Sequence, residues 1–388
     1  MYRKKLIFWS ACAGMLLFGV SLITLGSVAP DLKLKLGLTE ISSGTLFSIL
    51  PFGILVGSLI FGPVVDRFGY RMLLSVSCIL MAMGFEGIAW SAETGLMKVF
   101  IFIIGLSGGV VNGSTNSLVA DISENDKRAN LSLLGVFFAI GALGMPLLLG
   151  ILEARLDFEA IITVVGLISF AAGIFFLLIR LPPPKQKQGI PLSAGMVMFK
   201  DRVLILIALY LFFQSSFEGI INNWTTTYLI GQHSAEQSSA LYGLSLYVAG
   251  MAIMRLLTGT LLRNISARRI LVASFILILS GLLLIKTGFS LPTTLMGLMI
   301  LGAGLAGGFP IMLGFVGERY PLISGTAFSF VLVVGLIGNM LVNYCMGIIS
   351  QNFGIGHLVT VAFTETFVMI LLCMIILRKL SQHSLSPN

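Results

Sequence analysis

The sequence predicts an all-α integral membrane protein in which twelve transmembrane helices form two pseudo-symmetric six-helix bundles. Three observations lead to this fold class: an apolar composition, twelve long apolar segments, and one polar connection that divides them six and six. Of the 388 residues, 57% are apolar and only 10% are charged, and the mean hydropathy is +1.02. A soluble domain carries about a quarter charged residues, so this composition excludes a soluble, disordered or nucleic-acid-binding chain.

Each predicted span approaches or exceeds the roughly 20 apolar residues that a helix needs to cross the hydrocarbon core. In the first half the spans are predicted at 6–28, 42–63, 71–91, 96–120, 128–152 and 158–180. In the second half they are predicted at 203–229, 238–262, 269–288, 292–317, 322–350 and 357–378.

The polar connection lies between the sixth and seventh spans and begins with Pro182, Pro183 and Pro184. Proline ends a helix and favours an extended linker, because it lacks a backbone N–H. We therefore predict an N-terminal bundle at 1–180, a cytoplasmic linker at 181–202 and a C-terminal bundle at 203–388.

The distribution of basic residues orients the predicted spans. With the N-terminus inside, 18 of the 24 Lys and Arg residues lie on the inner side and five on the outer side. Cytoplasmic loops carry the excess of Lys and Arg in membrane proteins. The sequence thus predicts a multi-pass protein of the plasma (inner) membrane with both termini in the cytoplasm, and the basic net charge of +8 reflects topology.

A short polar loop follows the second span, and a weaker copy follows the eighth. The first copy combines glycine with an Asp–Arg pair at Gly62, Asp66, Arg67, Gly69 and Arg71. The second copy begins at Gly259 and has Arg263 and Asn264 where the first has Asp and Arg. This pattern resembles the signature loop of the major facilitator superfamily, although Tyr70 replaces a usual basic residue. The resemblance implies two bundles that rock about a midplane site, with the five residues of the first copy in a gating role.

Charged residues at membrane depth are rare and usually functional. Here they are Glu86, Glu218, Arg255 and Glu365. Glu218 lies near mid-depth of the seventh span and shares a helix face with Gln214 and Asn222 through i, i+4, i+8 spacing. A carboxyl flanked by amides suits a polyhydroxylated ligand or a cation, and a buried hydrogen-bond network that fixes helix packing is the alternative.

The other three charges are interpreted differently. Arg255 is predicted about 10 Å from the cytoplasmic end of its span, from the rise of 1.5 Å per residue. Pairing with Glu218 and snorkelling to the interface both remain open for Arg255. Glu86 and Glu365 belong to the third and twelfth spans, which lie outside the cavity in this superfamily, and we expect structural roles for both.

Further amides repeat the i, i+4 spacing in the fourth and eleventh spans. Amides donate and accept hydrogen bonds, and together with aromatic faces they suit neutral sugars better than large cations. The predicted substrate-binding residues are therefore Asn112, Asn116, Gln214, Glu218, Asn222, Asn223, Trp224, Asn339 and Asn343.

Two patterns typical of soluble enzymes occur inside apolar spans. Gly105-Leu-Ser107-Gly-Gly109 fits a nucleophile elbow, and the run from Gly302 to Gly307 fits a dinucleotide fingerprint. Both chemistries need a strand leading into a helix, which these spans do not provide. Close helix packing through small residues explains both, and we expect no enzymatic activity, no catalytic residue and no metal site.

A second resemblance is narrower and covers about a third of the chain. The fourth span with Asn112 and Asn116, the fifth span from Gly135 to Pro146, and the seventh-span run from Glu218 to Tyr228 are similar to the fucose/glucose branch of the superfamily. This resemblance implies uptake of a hexose-like sugar coupled to H⁺ or Na⁺. The first and fourth spans lack the acidic residues that some members use for coupling, so Glu218 is the predicted ion-coupling residue.

The alternative is a proton-coupled exporter of drugs or metabolites. Gly141, Gly144, Pro146 and Gly150 loosely resemble the glycine–proline motif of antiporters, but Met145 separates the Gly and Pro that are adjacent there. The expected partners are a small-molecule substrate and the lipid bilayer, with no nucleic acid and no cofactor beyond the coupling ion. We expect a monomer.

Overall fold

The computed structural model describes residues 3–123, 127–183, 201–259, 265–288, 290–320 and 324–384. Throughout these ranges the regular secondary structure is helical and contains no strand, which confirms the predicted all-α class. The first half contains α1 (Lys4–Ser27), α2 (Ala29–Leu36), α3 (Glu40–Trp90), α4 (Thr94–Ile122), α5 (Lys127–Leu152) and α6 (Phe158–Leu178). The second half contains α7 (Arg202–His233), α8 (Gln237–Gly259), α9 (Ala267–Thr287), α10 (Leu291–Leu305), α11 (Gly308–Arg319), α12 (Ser324–Phe353), the 3₁₀ turn Ile355–His357 and α13 (Leu358–Ser384).

Twelve helical stretches among the described residues are long and apolar enough to cross a membrane, which confirms the predicted number. Two of them, Glu40–Val65 and Arg67–Trp90, belong to the single helix α3. The helix kinks at Gly69, whose φ of 73° and ψ of 167° are rarely adopted by residues with a side chain. The glycine of the signature loop therefore provides the bend between the second and third spans.

The tenth span differs from the continuous helix predicted at 292–317. α10 ends at Leu305 and α11 begins at Gly308, and the N–H of Ala306 donates to the Ala303 carbonyl in a tighter i to i−3 bond of 3.4 Å. The segment is rich in glycine, which is about 1 kcal/mol less favourable than alanine in a helix interior. Its apolar character hides this break from a hydropathy pattern.

Cα packing divides the chain into two compact units: Met1–Gly189 with Gln237–Leu241, and Ile190–Glu236 with Tyr242–Asn388. Most of the predicted linker, residues 184–200, lies outside the described residues. The predicted bundle boundaries at 180 and 203 therefore stay a prediction.

In the first unit, α3 and α4 approach closely through glycines. A Cβ at Gly57 would lie 2.1 Å from the Leu106 carbonyl oxygen, and a Cβ at Gly109 would lie 2.3 Å from that of Ile54. In the second unit, a Cβ at Gly302 would lie 1.9 Å from the Tyr247 carbonyl oxygen. Small residues at helix contacts, rather than enzymatic loops, thus account for both glycine patterns.

The core of the second unit holds α7 in place. Buried side chains from α7, α11, α12 and α13 pack together, including Leu204, Leu211, Met312, Val331 and Met369. This packing fixes the helix that carries the predicted binding residues Gln214 to Trp224.

Candidate functional site

The candidate site is a polar stripe on α7 formed by Gln214, Glu218 and Asn222. Gln214 is fully buried, and its Nε2 donates to Glu218 Oε1 at 3.2 Å and to the Leu305 carbonyl oxygen at 2.9 Å. Leu305 is the last residue of α10, where carbonyl groups lose their intrahelical partners. The amide of Gln214 therefore connects the carboxylate on α7 to the break in the tenth span.

The open question about Arg255 is answered by its contact with Glu218. Arg255 Nη2 lies 3.8 Å from Glu218 Oε2, and the two side chains are 37% and 20% exposed. Glu218 therefore interacts with a cation on α8 through one oxygen and with an amide on α7 through the other. The single long contact makes this a loose ion pair.

Gly308 lets α11 begin directly against α7. A Cβ at this position would lie 2.3 Å from Gln214 Oε1 and 2.5 Å from the Tyr210 hydroxyl oxygen. Even alanine would clash there unless the polar side chains moved. The glycine thus brings the broken span within reach of the stripe.

Three buried polar atoms at this site have no hydrogen-bond partner among the described residues: Gln214 Oε1, Asn222 Oδ1 and the Tyr247 hydroxyl. Tyr247 lies on α8, is fully buried, and interacts electrostatically with Glu218 and Arg255. Buried polar groups are usually paired, so such atoms mark places where a ligand or water is expected to bind. Tyr247 could not be predicted from the sequence, because nothing local relates a tyrosine on the eighth span to the stripe on the seventh.

Four other predicted residues form a closed network between α7 and α12. Asn343 Oδ1 accepts from Asn223 Nδ2 at 3.1 Å and from Trp224 Nε1 at 3.2 Å. Asn343 Nδ2 donates to Asn339 Oδ1 at 2.9 Å, and Asn339 Nδ2 donates to the Ser215 carbonyl oxygen at 3.0 Å. These groups already satisfy one another, which matches the packing alternative. A role in substrate binding stays a prediction for all four residues.

Asn112 and Asn116 lie in the first unit, on α4. Asn116 Nδ2 donates to the Asn112 carbonyl oxygen at 2.9 Å and to its side-chain oxygen at 3.0 Å. Both side chains are half-buried, so they retain accessible surface. Their predicted contact with substrate stays untested.

The signature loop joins three helices of the first unit. Tyr70 is buried; its hydroxyl donates to Asp121 Oδ2 at 2.8 Å and lies 2.7 Å from Ser117 Oγ, both on α4. Arg71 Nε donates to the Leu177 carbonyl oxygen at the end of α6, at 2.7 Å. Tyr70 thus gives Asp121 an uncharged hydrogen-bond donor at the position where the superfamily usually has a basic residue.

Of the other predicted gating residues, the structure describes Gly62, Gly69 and Arg67 but not the side chain of Asp66. Gly62 lies buried within α3, and Arg67 is exposed with its guanidinium 5.3 Å from the Phe68 ring centroid. The side chain of Asp66 and the second copy at Arg263 and Asn264 lie outside the described residues. The gating role of the loop stays a prediction.

A polar cluster that was not predicted from the sequence lies at the start of α7. Asp201 caps the helix by accepting the Val203 N–H at 2.9 Å, and it accepts further hydrogen bonds from the Arg319 guanidinium and the Tyr320 hydroxyl. Burial raises the pKa of Asp201, but the donors from Arg319, Tyr320 and Val203 outweigh it and hold this pKa below its usual value. Burial and the neighbouring carboxylate raise the pKa of Tyr320 to about 12.

A cavity of about 170 Å³ lies in the first unit, away from the predicted binding residues. Its lining includes Asp31, Glu153, Asp157 and Glu159. None of the predicted substrate-binding residues contributes to it.

Residues 11–245 match the family model of the Major Facilitator Superfamily. Because the match covers more than half of the chain, the protein belongs to this superfamily, whose fold and members are those of transporters. It is 23% identical over 353 residues to the uncharacterized transporter y4wD of Sinorhizobium fredii, and the matched region covers 90% of this chain and 93% of that protein. It is 21% identical over 374 residues to the sodium-dependent glucose transporter 1 of Xenopus laevis, and the matched region covers 86% of this chain and 74% of that protein.

Solved structures agree on the fold. The chain is similar to the nucleoside transporter NupG at a TM-score of 0.79 and 16% identity, over 97% of this chain and 99% of that one. It is similar to a D-xylose-proton symporter at a TM-score of 0.79 and 15% identity, over 95% and 96% of the two chains. The predicted fold and superfamily are therefore confirmed, and the relatives include sugar transporters, in line with the narrower resemblance.

Proposed function

We propose that this protein is a secondary active transporter, not an enzyme, that takes up a hexose-like sugar by symport with H⁺ or Na⁺. The observation that carries the proposal is the pair of unpartnered amide oxygens, Gln214 Oε1 and Asn222 Oδ1, on the same helix face as Glu218. Support also comes from a sodium-dependent glucose transporter among the relatives and a xylose symporter among the similar folds.

A sugar suits this stripe because its hydroxyl groups supply donors for buried acceptors. Gln214 Oε1 and Asn222 Oδ1 lack such donors in the described part of the chain, and the Tyr247 hydroxyl both donates and accepts. An apolar drug-like cation would leave these groups unsatisfied, at a cost of about 1–3 kcal/mol each. The stripe therefore favours a polyhydroxylated solute over the substrates of a typical drug exporter.

Coupling is assigned to Glu218, which already has a cationic neighbour in Arg255. A proton on Glu218 would neutralise the carboxylate and weaken the attraction across the 3.8 Å contact. A Na⁺ ion would instead compete with Arg255 for the same oxygens. In either case linkage is reciprocal: if the ion tightens sugar binding, the sugar tightens ion binding by the same factor.

Alternating access would follow from rocking of the predicted bundles 1–180 and 203–388 about the linker at 181–202. The signature loop would stabilise one of the two states from the cytoplasmic side. We further propose that the protein acts as a monomer in a prokaryotic inner membrane, with both termini cytoplasmic, because Lys and Arg concentrate in the predicted inner loops.

The test is uptake of labelled D-glucose and L-fucose into proteoliposomes, with H⁺ and Na⁺ gradients imposed separately and uridine as a nucleoside comparison. Wild-type protein is expected to accumulate at least one of the two hexoses under one gradient. Glu218→Gln is expected to lose gradient-driven accumulation but retain exchange of sugar across the membrane.

Glu86→Gln is the matched control, since it removes a carboxyl at membrane depth in the other unit. It is expected to retain gradient-driven uptake. No hexose uptake under either gradient, with folded protein in the vesicles, would contradict the proposal and favour the exporter. Uptake of uridine alone would move the substrate class to nucleosides.

A further inference from the structure

A second carboxyl group, that of Glu365, lies inside the second unit and is not part of the stripe. Glu365 is on α13 and is 4% exposed. One oxygen, Oε1, forms a hydrogen bond with the Ser216 hydroxyl on α7, the helix that carries Gln214 and Glu218. The second oxygen, Oε2, is buried and has no hydrogen-bond partner among the described residues.

The hydroxyl of Ser216 has one hydrogen but two oxygen neighbours. Ser216 Oγ lies 2.9 Å from the Phe213 carbonyl oxygen in the usual i to i−3 geometry, and it also contacts Glu365 Oε1. A carbonyl only accepts, so a hydroxyl that donates to Phe213 cannot also donate to the carboxyl. The two contacts are satisfied together only when Glu365 is protonated and donates to Ser216 Oγ, whereas an ionised Glu365 takes the Ser216 hydrogen away from the Phe213 carbonyl.

The surroundings of Glu365 also favour its neutral form. An ionised carboxylate would be buried with one hydrogen bond and no ion-pair partner among the described residues. Burying an unpaired charge is far more costly than burying a neutral acid that donates one hydrogen bond. Glu218 differs because it has Arg255 at 3.8 Å and an amide donor at 3.2 Å.

α13 packs against α7, α9, α12 and the 3₁₀ turn, and none of the described side chains on these elements forms an ion pair with Glu365. On α7, Glu218 is two residues beyond Ser216 and points about 200° away around the helix. On α9, Lys286 lies with its Nζ 5.6 Å from the Phe363 ring centroid and makes no ion pair with Glu365 in the described structure. The other ionisable groups with described side chains on these elements and on α13 itself are Arg202, Tyr210, Tyr228, His233, Arg268, Arg269, Tyr344, Cys345, His357, Cys373, Arg378 and Lys379.

We propose that Glu365 is a proton-binding site of this transporter, separate from Glu218, and that its bound proton fastens α13 to α7 through Ser216. When the proton leaves to solvent, the resulting carboxylate accepts the Ser216 hydrogen, which is then withdrawn from the Phe213 carbonyl. The sequence predicts a structural role for Glu365, and the proposal defines that role as a proton-dependent link between α13 and α7. The proposal does not depend on which solute the protein carries.

Difference infrared spectroscopy of the reconstituted full-length protein tests this directly. At neutral pH, wild type minus Glu365→Gln is expected to show the loss of one neutral-acid C=O band that shifts in D₂O. Glu218→Gln serves as the comparison and is expected to retain the band assigned to Glu365, because it leaves the Ser216–Glu365 contact in place. Loss of only carboxylate bands in Glu365→Gln would overturn the proposal.

Ser216→Ala keeps the test decisive if Glu365→Gln fails to fold. This variant removes the acceptor of the proposed hydrogen bond, so the neutral-acid band is expected to move to higher frequency. The adjacent Ser215→Ala is the matched control and is expected to leave the band unchanged, because Ser215 lies towards α12, where a Cβ added at Gly335 would be 3.5 Å from the Ser215 Cβ. An unshifted spectrum in Ser216→Ala would contradict the proposal without any transport assay.

Discussion

The side-chain amide of Gln214 donates to the backbone carbonyl of Leu305 at 2.9 Å, 91 residues away, where the tenth span breaks. The same amide nitrogen donates to Glu218, so one residue contacts both the helix end and the carboxylate proposed to couple the ion. This position makes Gln214 a structural link between the break and the proposed binding stripe.

Gln214→Leu is expected to lower both stability and transport. Leucine leaves the buried Leu305 carbonyl without its donor, which costs about 1–3 kcal/mol, and it removes one acceptor for the sugar. The midpoint of thermal unfolding in detergent and the initial uptake rate measure the two effects. Gln232→Leu, at an exposed position on the same helix, should change neither, and equal effects at both positions would contradict the assignment.

Gly308→Ala is expected to destabilise the second unit and impair transport. The new Cβ would lie 2.3 Å from Gln214 Oε1, so the amide must leave its place between Glu218 and Leu305. Gly314→Ala is the matched control on the same helix, because a Cβ there meets nothing within 4 Å. We expect the control to raise stability by about 0.5–1 kcal/mol, as alanine does in helices. Similar unfolding midpoints for the two variants would argue against a tight contact at Gly308.

Much of the architecture follows from the sequence because its signals are local. Apolar length alone locates the twelve spans, and helical periodicity places Gln214, Glu218 and Asn222 on one face. The signature loop at Gly69 marks a bend because only glycine readily adopts its backbone conformation. These features need no knowledge of how distant segments pack.

The contacts that define the site are long-range and therefore escape sequence reasoning. Asn343 lies 119 residues beyond Trp224, and periodicity does not reveal that they share a hydrogen bond. The same limit hides the electrostatic interaction between Tyr247 and Glu218. The break after Leu305 was missed for another reason: hydropathy measures membrane affinity and is insensitive to whether an apolar span is continuous.

The pair of Arg255 and Glu218 is expected to show thermodynamic coupling. Arg255→Gln or Glu218→Gln alone removes a partner at membrane depth, whereas the double variant removes both charges. Because the contact is 3.8 Å and Arg255 is 37% exposed, we expect a coupling energy near the low end of the usual 0.5–3 kcal/mol, about 1 kcal/mol. A double-mutant cycle of unfolding free energies measures it. Strictly additive effects would show that the two side chains do not interact.

Asn222 and Asn343 should respond differently to substitution by alanine. Asn222 Oδ1 has no partner in the described structure, so Asn222→Ala should raise KM about 2–10-fold with little change in stability, the equivalent of one hydrogen bond. Asn343→Ala should instead lower the unfolding temperature, because it removes the oxygen that accepts hydrogen bonds from Asn223 Nδ2 and Trp224 Nε1. Uptake kinetics and thermal unfolding separate the two results, and the reverse pattern would make Asn343 the substrate ligand.

The Asp201 cap predicts an acid-dependent loss of stability. Burial raises the pKa of Asp201, but hydrogen bonds from Arg319, Tyr320 and Val203 outweigh it and hold this pKa below its usual value. The ionised Asp201 therefore stabilises the fold fully above the pKa of the unfolded chain, about 3.9. This stabilisation is lost as the pH falls through the lower pKa of the folded protein. Asparagine keeps a capping oxygen but removes the charge, so Asp201→Asn should be less stable than wild type at pH 6, and the difference should shrink below pH 4. Thermal unfolding between pH 3 and pH 7 measures this convergence.

Asp157→Asn is the matched control, because Asp157 precedes α6 without making a side-chain cap. A stability gap for Asp201→Asn that stays constant across this pH range would show that the carboxylate charge contributes nothing to the cap.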